Sequence, residues 1–446
     1  MIRQLRFRWV LLGLLAWMCA FARAVEPVTL RFTLWDGDQA LVALRQAIDG
    51  FEKAHPNIKV KLEPVAYGDY FNKLLVQMAG NVAPDVAMLD PNNFQRFAIR
   101  KAILPLNAFV QDDKSFDINA YYEPIVKAMS YRGELYVLPR DIAPIGIVYY
   151  NKELFDRAGI PYPDGTWTWD YEERPELKEK DFLYVLRNLT KFDAKGKVTQ
   201  YGLAAGWPAA LGDSFVYSTG ARYGDDPERP LTLGYNDPRT VKAYELLADL
   251  MLKKRYMPSP SELSVGLGSN SLQEFMRGRA AMHVSGIWDT PVIRETLVQG
   301  KPEFFEWDIC AVPAYKDGTL WCPTGGAGYS IVSTTKHPQE AWELLKWMSG
   351  EPGMMAMAKA GIAQPAIRAL ALKEPWIPGP NTPKDQQYPA NRIVTDQLVP
   401  HVVFPPTADY WTEITSLINA PLDQIWNGTL PPKEALAEAQ NRAETR

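Results

Sequence analysis

Apolar strands alternate with amphipathic helices along this chain, and that order restricts the possible folds more than any other feature of the sequence. In residues 28–34 every second side chain is apolar, which is typical of a strand with one buried face. Apolar side chains then follow helical spacing in residues 41–51, and a strand-like run returns at 58–62. A helix around 74–78 and a strand at 85–89 continue the series. This order predicts a mostly parallel sheet with helices on both faces.

The same order resumes in the second half of the chain. Residues 136–139, 145–150 and 280–284 are apolar runs typical of buried strands. Helical spacing of apolar residues marks 241–251 and 342–348. Because 446 residues exceed the usual size of one domain, we expect an α/β protein of two lobes with several crossings between them.

The first residues have the pattern of a secretory signal peptide. Three arginines lie in the first eight residues, residues 9–21 are apolar, and 22–24 read Ala-Arg-Ala. We expect residues 1–24 to be removed by cleavage after Ala24, which would leave a soluble periplasmic chain; an uncleaved anchor is the alternative. No later segment approaches the roughly 20 consecutive apolar residues of a spanning helix.

Charge and cysteine content narrow the partners and cofactors. The formal net charge is −4, and loss of the four leader arginines lowers it to −8, which argues against nucleic acid as a partner. Cys310 and Cys322 would remain after cleavage, and either a disulfide between them or two free thiols is open. The four histidines are scattered and no metal-ligand spacing is present, so we expect no metal and no cofactor.

Indoles stand beside carboxylates where several of the strands end. In open sheets of this kind, ligands bind at the carboxyl ends of the strands, because the loops there leave a crevice. An indole can cover the apolar C–H face of a sugar, while carboxylates and amides pair with its hydroxyls. The pattern therefore predicts a carbohydrate site. Its residues are Trp35, Asp36, Asp38, Asp90, Trp169, Trp207 and Trp288.

Each of these residues also has a purely structural interpretation. Any single indole could pack in a core. Asp90 could only end its strand in a turn, and Asp170 could cap a helix. Asp289 follows Trp288, and we expect it to cap the next helix rather than to contact ligand. His283 is expected to be a satisfied core residue, and Trp342 and Trp347 are assigned to core or surface.

The glycine-rich run at residues 323–330 resembles a phosphate-binding loop only superficially. It lacks the GKS or GKT ending, and a strand-like pair follows it instead of a helix. Nucleotide binding is therefore not expected. Either a simple turn or a loop whose N–H groups line the cleft remains open.

The order and spacing of several segments resemble the extracellular solute-binding proteins of family 1, the sugar-binding receptors of ABC importers. The segments that carry this resemblance are residues 30–35, 51–60, 83–86, 149–155, 165–170, 278–282 and 336–342. The resemblance implies a two-lobed periplasmic-binding-protein fold that closes on its ligand. Residues 25–140 and 314–350 would form lobe 1, and 141–313 and 351–446 would form lobe 2.

By the same resemblance, the hinge consists of several crossing strands, at 139–144, near 313–321 and near 350–353. Positions that match the family's cleft are Trp35, Asp36, Asp38, Tyr67, Asp90, Trp207, Trp288, Gly325, Gly326 and, less closely, Arg368. At the hinge, Asp141 with Arg140 could form a closing salt bridge or contact ligand, or remain a solvated pair. The charged segment 172–181 departs from the family's pattern and leaves the shape of that loop open.

The resemblance implies a monomeric receptor without catalytic residues, which delivers a mono- or oligosaccharide to a membrane permease. An alternative from another class is a glycoside hydrolase or lyase, since aromatic clefts with carboxylates also occur in those enzymes. A third possibility keeps the fold but binds a polyol, an amino sugar or another non-sugar solute.

Overall fold

The computed structural model describes residues 27–226, 230, 232–379, 389–404, 406, 408 and 410–445. The expected signal peptide, residues 1–24, lies outside them. Within these ranges, no helix has both the length and the apolar character that a membrane crossing requires.

The strands are numbered in chain order. They are β1 (Val28–Leu34), β2 (Ile58–Pro64), β3 (Val86–Leu89), β4 (Ser130–Tyr131), β5 (Glu134–Leu135), β6 (Leu138–Pro139), β7 (Asp141–Pro144), β8 (Ile147–Asn151), β9 (Thr168–Trp169), β10 (Lys191–Phe192), β11 (Val198–Gln200), β12 (Ala204–Ala205), β13 (Met282–Ser285), β14 (Trp307–Ala311), β15 (Ala314–Tyr315), β16 (Cys322–Gly325), β17 (Gly328–Ile331), β18 (Gln364–Pro365) and β19 (Val402–Val403).

The α-helices are named by their bounds. They are Asp38–Ala54, Tyr67–Ala79, Gln95–Ile99, Asn107–Asp112, Glu123–Ala128, Lys152–Ala158, Phe182–Leu189, Pro208–Ser218, Pro238–Ala248, Ser271–Met276, Thr290–Thr296, Pro338–Met348, Glu351–Lys359, Trp411–Trp426 and Pro432–Glu444.

Lobe 1 is built on a five-stranded sheet of order β2-β1-β3-β17-β6. β1 runs parallel to β2 and β3, as the alternation of strands and helices predicts. β17 is antiparallel to both of its neighbours, because it belongs to the chain returning from the other lobe. The helix Asp38–Ala54 buries Leu44, Ile48 and Phe51 in the core of this lobe. These spacings were readable from the sequence.

Lobe 2 has a four-stranded sheet of order β12-β13-β8-β14. β12 and β13 are parallel, but β8 runs antiparallel to both β13 and β14. This sheet is therefore mixed rather than mostly parallel, since the chain enters the lobe on β8 and β14 leads back towards the hinge. The α/β class and the two-lobed architecture are confirmed.

Four short strands, in the order β18-β7-β16-β19, form the hinge sheet between the lobes. β7 lies in the segment expected for the first crossing. The second crossing is β16, later than the expected 313–321, because β15 pairs with β9 of lobe 2. The third is β18, later than the expected 350–353, because the helix Glu351–Lys359 buries Met354 and Met357 in the lobe 1 core.

Each lobe has its own hydrophobic core. Trp342 is buried in the first core, and its Nε1 donates to Asp113 Oδ2 at 3.2 Å. Trp347 lies at the edge of the same core and donates to Ala47 O at 2.8 Å. Cys310 and Cys322, whose pairing the sequence left open, are both buried and free.

Candidate functional site

Lobe 1 presents an aromatic cluster at the carboxyl end of its sheet. Trp35 follows β1 directly, and its ring centroid lies 5.4 Å from that of Tyr67, 5.1 Å from that of Tyr70 and 5.5 Å from that of Phe71. The last three residues occupy the first turns of the helix Tyr67–Ala79. Tyr67 is half exposed, so this cluster offers an aromatic surface to solvent beside the strand end.

Asp90 follows β3 and lies buried beneath that surface. Tyr67 Oη donates to Asp90 Oδ2 at 3.0 Å, and Asn93 Nδ2 donates to Oδ1 at 3.0 Å. Burial raises the pKa of the Asp90 carboxyl, although these donors oppose the shift. Asp90 also begins a turn, since its carbonyl accepts from Phe94 N. Its side chain therefore holds the Tyr67 hydroxyl beside the end of β3, and the turn interpretation is also correct.

Asp36, Arg140 and Asp141 form a buried ionic cluster at the base of the hinge. Arg140 Nη1 lies 2.6 Å from Asp36 Oδ2, and Arg140 Nε lies 2.6 Å from Asp141 Oδ2. Asp141 Oδ1 accepts from Ala327 N at 3.0 Å. Asp141 therefore belongs to the hinge rather than to the ligand surface. The interpretation as a solvated pair is wrong, because all three side chains are almost fully buried.

Gly325 and Gly326 lie where β16 ends. Gly325 has open space where a Cβ would stand. At Gly326 the φ of +149° and a Cβ position only 2.7 Å from Asp141 O both require glycine. The glycine at position 326 is thus explained by close packing against the first crossing.

Lobe 2 contributes two indoles at the ends of β12 and β13. Trp207 and Trp288 are 40% and 37% exposed, and their rings are nearly parallel, with centroids 6.5 Å apart and an interplanar angle of 6°. A Cβ on Gly286 would overlap the six-membered ring of Trp288, so the glycine makes room for the indole at the strand end. The pair forms an open apolar surface.

Asp289, beside this pair, does not cap the following helix. It makes no side-chain hydrogen bond to the helix N-terminus. Instead its Oδ2 lies 2.8 Å from Nε2 of His283, which is buried as expected, although no described residue pairs with its Nδ1, so the ring is only partly satisfied. The expectation of a cap is wrong because the carboxylate pairs instead with the buried imidazole of His283, which lies on β13.

Trp169 does not belong to the site. It is fully buried in the lobe 2 core, and its ring centroid lies 4.2 Å from that of Phe215 and 4.8 Å from that of Tyr315. Asp170 caps no helix either. The next α-helix, Phe182–Leu189, is capped by Asp181, whose Oδ1 accepts from Tyr184 N.

Arg368 and Asp38 are both exposed. The guanidinium of Arg368 donates to the backbone carbonyls of Tyr121 and Asn119, so two of its nitrogens serve lobe 1 itself. Asp38 is the first residue of the helix Asp38–Ala54, where a carboxylate interacts favourably with the helix dipole. Within the described residues, no hydrogen bond or ion pair joins either side chain to the aromatic residues of the two lobes.

A direct contact between the lobes was not foreseen from the sequence. Gln39 Nε2 of lobe 1 donates to Glu295 Oε2 of lobe 2 at 2.6 Å. The helix that carries Glu295 begins directly after Trp288-Asp289, and Gln39 follows Trp35 by four residues. The strand-end segments of the two lobes are therefore close to each other. No local sequence pattern marks either partner.

The part of the chain that the structure describes contains no cluster of His, Cys, Asp or Glu able to hold a metal ion. Aromatic surfaces and carboxylates stand at strand ends on both sides of a three-crossing hinge. This arrangement defines a two-lobed solute receptor.

The chain belongs to the bacterial extracellular solute-binding proteins, whose family model matches residues 37–355. It is 22% identical to an ABC transporter extracellular-binding protein of Pyrococcus horikoshii, over 79% of this chain and 76% of that one. A mannitol-binding protein of Pseudomonas aeruginosa is also 22% identical, over 94% of this chain and 92% of the relative.

Among solved structures, the chain is similar to an ABC substrate-binding protein of Listeria monocytogenes in complex with cycloalternan. The TM-score is 0.77 at 23% identity, and the match covers 94% of this chain and 99% of that one. At this identity the likeness establishes the fold. The resemblance read from the sequence is confirmed.

Proposed function

We propose that this protein captures a neutral carbohydrate between its lobes and delivers it to the permease of an ABC importer. The observation that carries this proposal is the pair Trp207 and Trp288, whose parallel, exposed rings provide an apolar aromatic surface. Such a surface suits the C–H face of a pyranose. Across the cleft, the Asp36 carboxylate can accept hydrogen bonds from hydroxyls.

Lobe closure makes this arrangement selective. Only a closed form lets one ligand touch the indoles of lobe 2 and the carboxylate of lobe 1 together, so the ligand favours closure by its extra contacts there. The permease would recognise the closed shape, and no bond of the sugar is broken. The Listeria monocytogenes protein in complex with cycloalternan and the mannitol-binding protein of Pseudomonas aeruginosa support a polyhydroxylated solute.

The location follows from the same proposal. The signal pattern in residues 1–24 would direct the chain to the periplasm, where it would act as a monomer. Mass spectrometry of the periplasmic fraction should find a mature N-terminus at Val25. Retention of the full leader would instead support the membrane-anchored alternative.

A thermal-shift screen of the wild-type protein tests the function. Maltotriose, mannotriose, mannitol, glucosamine and glucuronate are compared, because a ligand bound only by the native state raises the melting temperature. A shift with one of the neutral trisaccharides supports the proposal. A shift with mannitol alone would favour a polyol receptor, and hydrolysis products from a labelled trisaccharide would establish an enzyme.

A further inference from the structure

Arg140 occupies the point where the three crossings of the hinge meet. Its backbone N donates to Ala327 O of the second crossing at 2.7 Å, and its carbonyl accepts from Ala366 N of the third crossing at 3.2 Å. Arg140 itself directly precedes β7 of the first crossing. Any rotation of the lobes about these strands therefore changes the surroundings of this one residue.

The side chain of Arg140 leads from the hinge to the site. Arg140 is only 4% exposed. Its guanidinium donates to Asp141 through Nε and to Asp36 through Nη1, and it lies over the ring of Tyr329. Asp36 belongs to the segment Trp35–Asp38 at the end of β1. One planar group thus joins a hinge carboxylate to a strand-end carboxylate in a fixed geometry.

The cluster carries an excess of negative charge, since two carboxylates share one guanidinium. Asp141 has a second donor in Ala327 N, so both of its oxygens are paired. Asp36 receives a hydrogen bond only at Oδ2, and no described residue donates to its Oδ1. A poorly hydrated carboxylate with an unused oxygen favours a donor from outside.

We propose that Arg140 is a positioning residue: it aims the free oxygen of Asp36 at a hydrogen-bond donor of the ligand and couples that bond to the hinge. This proposal rests on the proposed function and narrows its ligand to neutral or cationic polyols. An anionic sugar would add a further negative charge beside Asp36 and Asp141, while the guanidinium of Arg140 is already shared between these two carboxylates.

A double-mutant cycle tests this coupling. The variants are Asp36→Asn, Arg140→Lys and the double variant, and the probe is whichever compound of the screen shifts wild type most. Asparagine can still accept from Arg140, and lysine keeps the charge but loses the planar two-sided geometry. Each single change is expected to weaken binding by about 10- to 100-fold in calorimetry.

Losses that do not add in the double variant support the positioning role, because both changes act on the same hydrogen bond between residue 36 and the ligand. Additive losses, or a lowered melting temperature with unchanged affinity in Arg140→Lys, would overturn it. The matched control is Arg174→Lys, which alters an Arg–Asp pair of lobe 2 with Asp181 at 2.9 Å and should leave affinity unchanged.

The nature of the best probe separates the two proposals. If glucuronate shifts the wild type most, the ligand-charge inference is wrong although sugar binding stands. If a non-sugar solute such as mannitol is the only ligand, the carbohydrate assignment fails, while the cycle measured with mannitol still decides the role of Arg140.

Discussion

The two lobes present very different surfaces where their strands end. In lobe 1, Trp35 is held edge-on within an aromatic cluster, and the carboxylates of Asp36 and Asp90 are nearly buried and hydrogen-bonded. In lobe 2, Trp207 and Trp288 are exposed and parallel. Directional hydrogen bonds discriminate between ligands, whereas apolar area supplies affinity with little directional demand. We infer that lobe 1 selects the ligand and lobe 2 holds it.

The largest expected effect distinguishes core from surface indoles within lobe 2. Trp169→Ala removes a fully buried ring and should lower the free energy of unfolding by about 3–5 kcal/mol. Calorimetry on the protein that remains folded should find its ligand affinity unchanged. A loss of affinity without a loss of stability would show instead that Trp169 contacts the ligand.

Trp288→Ala should show the opposite behaviour. Loss of roughly 80 Å² of apolar contact weakens binding by about 2 kcal/mol, or about 30-fold, with little change in melting temperature. The control is Phe192→Ala, which removes another exposed ring of the same lobe. If Trp288→Ala leaves the ligand-induced thermal shift intact, lobe 2 does not hold the ligand by stacking.

The lobes also differ in how they neutralise buried carboxylates. In lobe 1, Asp36 is paired with Arg140 Nη1 at 2.6 Å, whereas Asp213 on the helix Pro208–Ser218 of lobe 2 accepts from Tyr223 Oη at 2.5 Å. Burial raises the pKa of Asp213 to about 7. The native state therefore keeps a proton that the unfolded chain loses near pH 4, so this group's stabilisation falls as pH rises towards 7.

Asp213→Asn removes that dependence while keeping an oxygen that can accept from Tyr223. Its melting temperature should exceed that of wild type at pH 8, by an amount equivalent to about 1–2 kcal/mol, and the difference should shrink at pH 5. Thermal unfolding at both pH values measures this. An equal difference at pH 5 and pH 8 would contradict the assigned titration.

The smallest expected effect concerns the bond between the lobes. Gln39→Ala removes the hydrogen bond to Glu295 and should weaken ligand affinity about two- to fivefold, because this bond holds the two lobes together. Small-angle scattering should show a larger radius of gyration without ligand. Gln46→Ala, an exposed change on the same helix, should alter neither quantity.

The sequence predicted what depends on local pattern. The alternation of strands and helices predicted the sheet of lobe 1, and it correctly placed Trp35, Asp36, Trp207 and Trp288 just beyond the ends of strands. The sequence could not show that Trp169 is buried while Trp288 is exposed, because both stand beside an aspartate. Trp169 is buried only by packing against Phe215 and Tyr315.

Packing in three dimensions decided the rest. The side chain of Asp289 pairs with His283 rather than with a helix terminus, and the pairing of β15 with β9 places the second crossing later, at β16. The contact between Gln39 and Glu295 spans 256 residues of chain and depends on how the lobes meet. Such contacts carry no signal in a single sequence.

A crystal structure with the trisaccharide that gives the largest thermal shift tests the central claim most directly. The account predicts one sugar ring against Trp207 or Trp288 and a hydroxyl within hydrogen-bond distance of Asp36 Oδ1, with both lobes contacting the same ligand. A trisaccharide bound to one lobe only, or away from these side chains, would contradict it.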